Sequence, residues 1–517
     1  MDKPQCIQDI LRSNNERTIT YIHHDDSISR DSYSQFRERV FQLSHYLKHC
    51  GFVPGDVISV ISPNSQTHYE LIWGIIAAGC VYNGINNRIS GDDIQYIVEH
   101  SQSKLIIVDD SLANHIVNDQ VPRCLISEIQ SVSLSGFPSQ HAAVISAPSD
   151  NAVLCYTSGT TGKPKGVPYS HQQILAHIHA ELPDTSYGVG SSQNSLLVVP
   201  FFHGAGWGLP FSSTFAHCNI TILSGKLSAE RVSSALLNNH IDVTAAVPEV
   251  WEPVVSDWEK NDIRFPEGLR IVMGGVSPSD RLVKRLTLRG VVIIHVWGMT
   301  ETLSACTANV ITRAKGLDQY HQGYPLPISE ISIKPLDTHC HSSSGHPIGE
   351  IFVRGECVLE RYYRCKQVAT TIDGWLATGD IGWIDDNGAL HFVERQKDLI
   401  KSGGEWIVPN KIEQYLTQHA AVSECAVVGV EHTKWGERPI AIINTRLSVT
   451  TTEIQTHLAK YLPKWQCPDK IIFVDKIEKT SIGKINRKAI KSHYKHILLT
   501  SQNDPMPVTV NENLTIG

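Results

Sequence analysis

The sequence predicts an α/β protein. It has a large N-terminal domain of layered α/β subdomains plus a β-rich subdomain, then a small α+β C-terminal domain. Three observations lead there. Apolar strands alternate with amphipathic helices as far as about residue 325, the pattern of parallel sheets covered by helices. Beyond that point the pattern changes to short strands and turns, including 349–355. From about residue 398 a last segment carries its own helices and strands and is long enough for a separate small domain. A chain of 517 residues also exceeds what one hydrophobic core organises.

The elements follow in order. After Asp31, the residues Phe36, Val40, Leu43 and Leu47 recur at spacings of three and four and fall on one helical face. Ser32 and Gln35 have the spacing of a capping box, and Gly51 closes the helix. The turn Pro54-Gly55-Asp56 leads into a strand over 57–61, and an apolar helix over 67–78 ends at Gly79. Residues 104–108 and 152–156 read as buried strands, and 195–199, 220–223, 243–247, 269–273 and 291–296 continue the alternation. In the last segment 412–419 reads as a helix and 426–430 as a strand, and 500–517 is a polar tail.

Composition narrows the functional classes. Lys plus Arg is 45 against 52 for Asp plus Glu, a net charge of -7, so the basic surface of a nucleic-acid binder is missing. The 12 cysteines include no C-x-x-C pair, which argues against a zinc ribbon or a dithiol redox site and for reduced, mostly buried thiols. Met1-Asp2-Lys3-Pro4-Gln5 lacks the character of a signal peptide, and the apolar stretch 71–82 is too short to span a bilayer, so a cytoplasmic protein without an integral membrane segment is expected. His339-Cys340-His341 with His346 has zinc-type ligands at a spacing that matches no standard site; it reads as a hydrophilic turn without metal.

One segment speaks directly to chemistry: Tyr156-Thr157-Ser158-Gly159-Thr160-Thr161-Gly162-Lys163-Pro164-Lys165-Gly166. Glycines let successive N–H groups face one point, while hydroxyls and lysines add donors and charge, as a triphosphate requires. It is not a Walker A loop, since two residues rather than four separate Gly159 from Gly162 and a proline follows the lysine. Further along, Trp297 stands at the end of an apolar strand, where a ring can stack on a base, and Glu301 offers carboxylate oxygens suited to Mg²⁺. Thr378-Gly379-Asp380 alone reads as a turn, and Glu394-Arg395-Gln396-Lys397-Asp398 alone as a solvated charge run.

Taken in order, these segments resemble the adenylate-forming superfamily, which holds acyl-CoA synthetases, peptide-synthetase adenylation domains and beetle luciferases. The likeness runs from about residue 20 to 490. It implies that Thr157, Ser158, Gly159, Thr160, Thr161, Gly162, Lys163 and Lys165 hold the phosphates of ATP. Gly275, Val276, Trp297, Gly298 and Met299 would then hold adenine, Thr300 the α-phosphate, Glu301 the Mg²⁺, and Asp380 with Arg395 the ribose. His203, Trp207 and Gly298 would contact the acid. Lys484, in Lys479-Thr480-Ser481-Ile482-Gly483-Lys484, would be the catalytic lysine of adenylation, with Thr300 and Glu301 completing the catalytic set. Lys397 would be the hinge of a mobile C-terminal domain, giving domains 1–396 and 397–499 before the 500–517 tail.

Residues 205–210, 243–248, 401–406 and 435–439 look closest to medium- and long-chain fatty acid CoA ligases. Ser402, Gly403, Gly404, Glu405 and Trp406 would then form the coenzyme A channel. Gly204-Ala205-Gly206 and Val408 depart from those relatives and leave the acid open, a specialised biosynthetic acid included. The implied activity is MgATP-dependent adenylation of a carboxylic acid and acyl transfer to coenzyme A. The alternatives are transfer to a carrier-protein phosphopantetheine and a non-catalytic nucleotide-binding homologue. A homodimer is compatible with the resemblance.

Overall fold

The computed structural model describes residues 4–12, 16–115, 120–140, 146–157, 162–314, 321–336, 341–342, 344–479 and 485–499. The chain divides into two compact units, Met1–Thr378 with Trp383–His391, and Gly379–Gly382 with Phe392–Gly517.

The first unit is built on two mainly parallel sheets. The nine-stranded one runs in the order Tyr324–Pro325, Thr307–Ile311, Val292–Trp297, Arg270–Met273, Val243–Ala245, Asn194–Leu197, Asn219–Leu223, Thr18–Ile22, Ile28–Ser32. Six consecutive strands, from Val292–Trp297 to Thr18–Ile22, are parallel, and antiparallel pairings close the sheet on both sides. The six-stranded sheet runs Arg123–Leu125, Leu105–Val108, Val57–Ile61, Val81–Gly84, Asn151–Tyr156, Gly166–Ser170, and only the last strand is antiparallel.

Strand periodicity sorts the apolar residues onto the two faces of the larger sheet. Ile222, Val272 and Ile294 join a core that continues through Phe36 and Trp73 to Ile58 and Val60 of the smaller sheet. Their neighbours Leu223, Ile271 and Ile293 face Val232, Trp251, Trp258 and Leu282 on the outer helices. The helix Tyr33–His49 starts at Ser32, whose side chain and that of Gln35 cap each other's backbone in a complete capping box. An antiparallel hairpin of Ser329–Pro335 and Gly349–Gly355 supplies the β-rich part of this unit.

In the second unit a five-stranded sheet carries Pro409–Gln418, Thr451–Leu458 and Arg487–His493. Val427, Ala441 and Ile443 pack with Ile412, Leu416 and Ile454 on one face, while Val428, Ile440 and Ile442 meet Ile477 and Ile490 on the other. Both faces are thus buried, which explains the near-continuous apolar runs of its two long strands.

The structure refines the sequence reading at three places. Thr378-Gly379-Asp380 is not a turn but lies inside the strand Leu376–Ile384. Residues 402–406 are not an open loop: Ile400–Ser402 pairs with Glu405–Ile407 around Gly403 (φ 60°) and Gly404 (φ 97°). That positive-φ pair is the backbone of a tight two-residue hairpin. Lys397 sits in a short 3₁₀ turn, Gln396–Asp398. Among the described residues, no helix is long and apolar enough to cross a membrane.

Candidate active site

Parallel sheets bind ligands beyond the C-terminal ends of their strands, where loops converge. The segments singled out in the first unit leave such ends: 157–165 after Asn151–Tyr156, 200–208 after Asn194–Leu197, 274–276 after Arg270–Met273, and 298–304 after Val292–Trp297.

The glycine-rich segment joins two antiparallel strands, and at its base the Thr157 N–H donates to the Lys165 carbonyl (2.9 Å). Ser158, Gly159, Thr160 and Thr161 lie outside the described residues. Gly162 is exposed, with nothing within 4 Å of the position a Cβ would take. Lys163 sits 4.5 Å from the Tyr96 ring centre, and Lys165 sits 4.8 Å from that of Tyr362. Neither lysine is paired with a carboxylate among the described residues, so both charges remain available to an anion. Beside Lys165 opens a cleft of about 530 Å³, whose walls include Tyr96, His100, Tyr362, Tyr363 and Arg364.

Tyr362 links that lysine to the acidic residue expected to bind metal. Its hydroxyl donates to Glu301 Oε1 at 2.8 Å. Burial, then the Glu301 charge, push the Tyr362 phenol upward, so it remains a donor at neutral pH. The Glu301 carbonyl accepts from the Leu359 N–H (2.7 Å), and the Thr300 carbonyl accepts from the Tyr169 hydroxyl (2.7 Å). Glu301 is buried and pairs with no cation among the described residues. One carboxylate completed by substrate phosphates and water is how Mg²⁺ is commonly held, so Glu301 fits that ion.

Around this pair the backbone is tightly folded. A Cβ on Gly298 would collide with the Ser304 carbonyl oxygen, and Leu303 (φ 54°) and Ser304 (φ 89°) turn the chain back. The Ser304 N–H reaches the Met299 carbonyl (3.1 Å), and the Cys306 N–H reaches that of Trp297 (2.8 Å). Trp297 is largely buried as the last residue of its strand. Gly275 (φ 77°) and Val276 are exposed in the next turn, and a Cβ on Gly274 would stand 3.9 Å from Trp207 Cζ3.

The segment expected near the acid has an unusual course. Gly204, Ala205, Gly206, Trp207 and Gly208 all have positive φ, from 44° to 82°. His203, just before them, packs its ring 4.6 Å from that of Phe202. The Gly204 N–H donates to Cys155 Sγ (3.4 Å), and a Cβ on Gly204 would lie 3.0 Å from Ser304 Oγ. Burial raises the Cys155 thiol to about 11. The first unit therefore brings together Lys165, Glu301, Thr300, Gly274, His203 and Trp207. Two connecting residues, Tyr362 and Tyr169, have no warning in sequence spacing.

The remaining expected residues belong to the second unit. Arg395 Nε lies 2.8 Å from Asp380 Oδ1. Buried Glu394 accepts from the N–H groups of Arg395 and Asn410, both at 3.0 Å, and stands in for a cap that Val408 cannot give the helix Pro409–Gln418. Burial pushes the Glu394 carboxyl up to about 7, and holds the Lys397 amine below its usual value. At the glycine hairpin, Ser402 Oγ accepts from Arg438 (3.2 Å), Lys401 lies over the Trp406 ring (5.2 Å), and a Cβ on Gly403 would stand 2.7 Å from Trp435. Lys484 lies outside the described residues, as do His339 and Cys340. His341 and Pro347 form a β-bridge across a turn, and no metal-binding cluster of His, Cys, Asp or Glu occurs among the described residues.

Comparison with known proteins agrees with this geometry. Residues 11–363 match the model for AMP-binding enzymes, and residues 411–484 match that for the AMP-binding enzyme C-terminal domain. The chain is 28% identical to a medium-chain-fatty-acid–CoA ligase of Ectopseudomonas oleovorans, over 96% of each chain. It is 27% identical to a 3-methylmercaptopropionyl-CoA ligase of Ruegeria lacuscaerulensis, over 96% of this chain and 99% of that one. Its fold is similar to that of O-succinylbenzoate coenzyme A synthetase from Bacillus subtilis, solved with ATP and magnesium. The TM-score is 0.82 and the identity 24%, covering 95% of this chain and 99% of that one. The chain belongs to the AMP-binding enzyme family.

Proposed function

We propose that this protein is an acyl-CoA ligase that converts a carboxylic acid and MgATP to an acyl-adenylate and pyrophosphate, then transfers the acyl group to coenzyme A with release of AMP. The observation that supports this best is the continuous set Lys165, Tyr362, Glu301 and Thr300 at the strand ends. Among the described residues it offers a cation and a carboxylate that have no ion-pair partner, joined by Tyr362, whose ring lies under Lys165 and whose hydroxyl donates to Glu301.

In this reading Thr157, the glycine-rich segment, Lys163 and Lys165 bind the phosphates, and Thr300 orients the α-phosphate. Glu301 would hold the magnesium, whose charge would offset that of the phosphates. Tyr362 fixes the carboxylate so that it meets the ion without rearranging. Trp297, Gly298, Met299, Gly275 and Val276 form the adenine site, Asp380 and Arg395 take the ribose, and His203 with Trp207 faces the acid. Lys484 supplies positive charge where the carboxylate attacks phosphorus. The C-terminal domain, 397–499, turns about Lys397 so that the hairpin Ser402–Trp406 serves the thiol. A medium- or long-chain fatty acid, as in the names of two of the relatives, is the substrate of this reading, and a cytoplasmic enzyme fits the chain.

ATP–pyrophosphate exchange over a panel of short, medium, long and aryl carboxylates tests the reading. Exchange that depends on one acid class, followed by AMP release only when coenzyme A is added, is the expected result. Nucleotide binding with no exchange for any acid would overturn it, and acylation of a phosphopantetheinylated carrier in place of coenzyme A would redirect its second half.

A further inference from the structure

We propose that His177, Glu181 and Tyr187 form a buried polar end to the acyl site and select a carboxylic acid that carries a hydroxyl remote from its carboxylate. The inference rests on the ligase reading above and on the segment 203–208 facing the acid.

His177 and Glu181 lie four apart on the helix His171–Glu181, hence on one face, and their side chains are 1% and 0% exposed. Nδ1 of His177 is 3.0 Å from Glu181 Oε1, yet the two are not aligned as a hydrogen bond. His177 Nε2, Glu181 Oε2 and the fully buried Tyr187 hydroxyl also lack a hydrogen-bond partner among the described residues. Tyr187 lies close enough to Glu181 to feel its charge, which adds to the effect of burial in raising the phenol. A buried polar group without a partner costs about 1–3 kcal/mol, so such groups are normally satisfied. Here several stand together, and one is a carboxylate.

The cluster faces the acyl segment. Gly208 has φ 82°, and a Cβ on it would collide with Glu181 Oε1 and stand 3.1 Å from Oε2. The carboxylate therefore lies directly against the Trp207–Gly208 backbone, and the Trp207 ring reaches on toward Gly274 at the nucleotide side. The loop that carries Tyr187 is held in place as well. Arg270 donates to the carbonyls of Asp184 (2.9 Å), Ser186 (2.8 Å) and Tyr187 (2.8 Å), and the Gly188 N–H reaches the Glu181 carbonyl (3.0 Å).

The donor set defines the ligand. Glu181 accepts, Tyr187 donates or accepts, and the His177 ring carries at least one N–H that can donate. A hydroxyl donates one bond, here to Glu181, and can accept two, from Tyr187 and His177, so it suits all three, whereas an alkyl end leaves each unsatisfied. Sites built around a substrate hydroxyl reject the analogue lacking it by up to ~10⁴–10⁵.

The test is pyrophosphate exchange with paired acids, from hexanoic to dodecanoic and including 3-phenylpropanoic, each with and without a terminal or para hydroxyl. For the best pair, kcat/KM should favour the hydroxylated acid by at least about 10²-fold. In the double variant His177→Leu, Glu181→Met the ratio should fall to about one or reverse, while Tm holds or rises because of the three orphaned side chains only the Tyr187 hydroxyl remains. A wild type that uses plain acids as well as hydroxylated ones would overturn the inference and leave the ligase reading intact. So would a double variant whose Tm shifts while its ratio is unchanged, since that marks a purely structural pair. No exchange with any acid would remove the ligase reading, and this inference with it.

Discussion

Tyr362 holds Glu301 through one hydroxyl, and the rest of its ring carries Lys165. Tyr362→Phe keeps the ring and deletes the donor. A hydrogen bond to a charged group contributes about 1.5–3 kcal/mol, so exchange should fall about 10- to 100-fold with a higher magnesium requirement. An unchanged magnesium dependence would show that the hydroxyl does not position Glu301. Glu394 gives a pH-dependent prediction. Its folded value, about 7, lies above the ordinary 4.5, so the native state binds this proton more tightly than the unfolded chain. The stability it contributes is present below the ordinary value and lost as pH rises through about 7. Glu394→Gln should flatten the fall of Tm between about pH 5 and 7; an unaltered slope would assign that fall to other groups. At this scale the sequence offered Lys165 and Glu301 as candidates, because phosphate and magnesium restrict residue type. It could not disclose Tyr362 or Tyr169, whose partners lie 61 and 131 residues away.

Elements were legible where their signal is local. The capping box at Ser32 and the face of Phe36, Val40, Leu43 and Leu47 foretold the helix Tyr33–His49, and all four apolar side chains are buried. Ser32→Ala should lower stability by about 1 kcal/mol, read as a lower denaturation midpoint with an unchanged slope. Where packing overrides local preference the reading failed. Thr378-Gly379-Asp380, read as a turn, lies in a strand whose pairing depends on neighbours along the chain. The hairpin at 402–406 yields the next prediction. Gly403 combines φ 60° with a 2.7 Å approach to Trp435, so Gly403→Val strains the turn and displaces that ring. Thioester formation should drop by at least ~10-fold, while pyrophosphate exchange stays within about twofold. Equal losses would place the hairpin in adenylation instead.

For the whole molecule, alternation of strands and helices was enough to predict layered α/β architecture, but not strand order. Ile19 pairs with Ile220, which pairs with Ser195, and no local signal specifies contacts at such separations. The two units likewise do not divide at one sequence position, because Gly379–Gly382 is grouped with the second and Trp383–His391 with the first. Asp380 and Arg395, expected to share the ribose, are paired within one unit. A division of labour between adenylation and thiol transfer is tested by Lys484→Ala. Adenylation should become barely measurable, with thioester formation from supplied acyl-adenylate near the wild-type rate; comparable loss of both would remove Lys484 from its assigned role.

Cys155 raises a problem of self-inflicted damage. An activated acyl group is electrophilic, and this chain carries a sulfur immediately behind Gly204, beside the segment proposed to face the acid. With its thiol raised to about 11, only about 10⁻⁴ of Cys155 is thiolate at neutral pH, and its sulfur already accepts the Gly204 N–H. The same burial that completes the core would thus spare the intermediate of the proposed reaction from an internal thiol, leaving the acyl group to a mobile acceptor that arrives from solution.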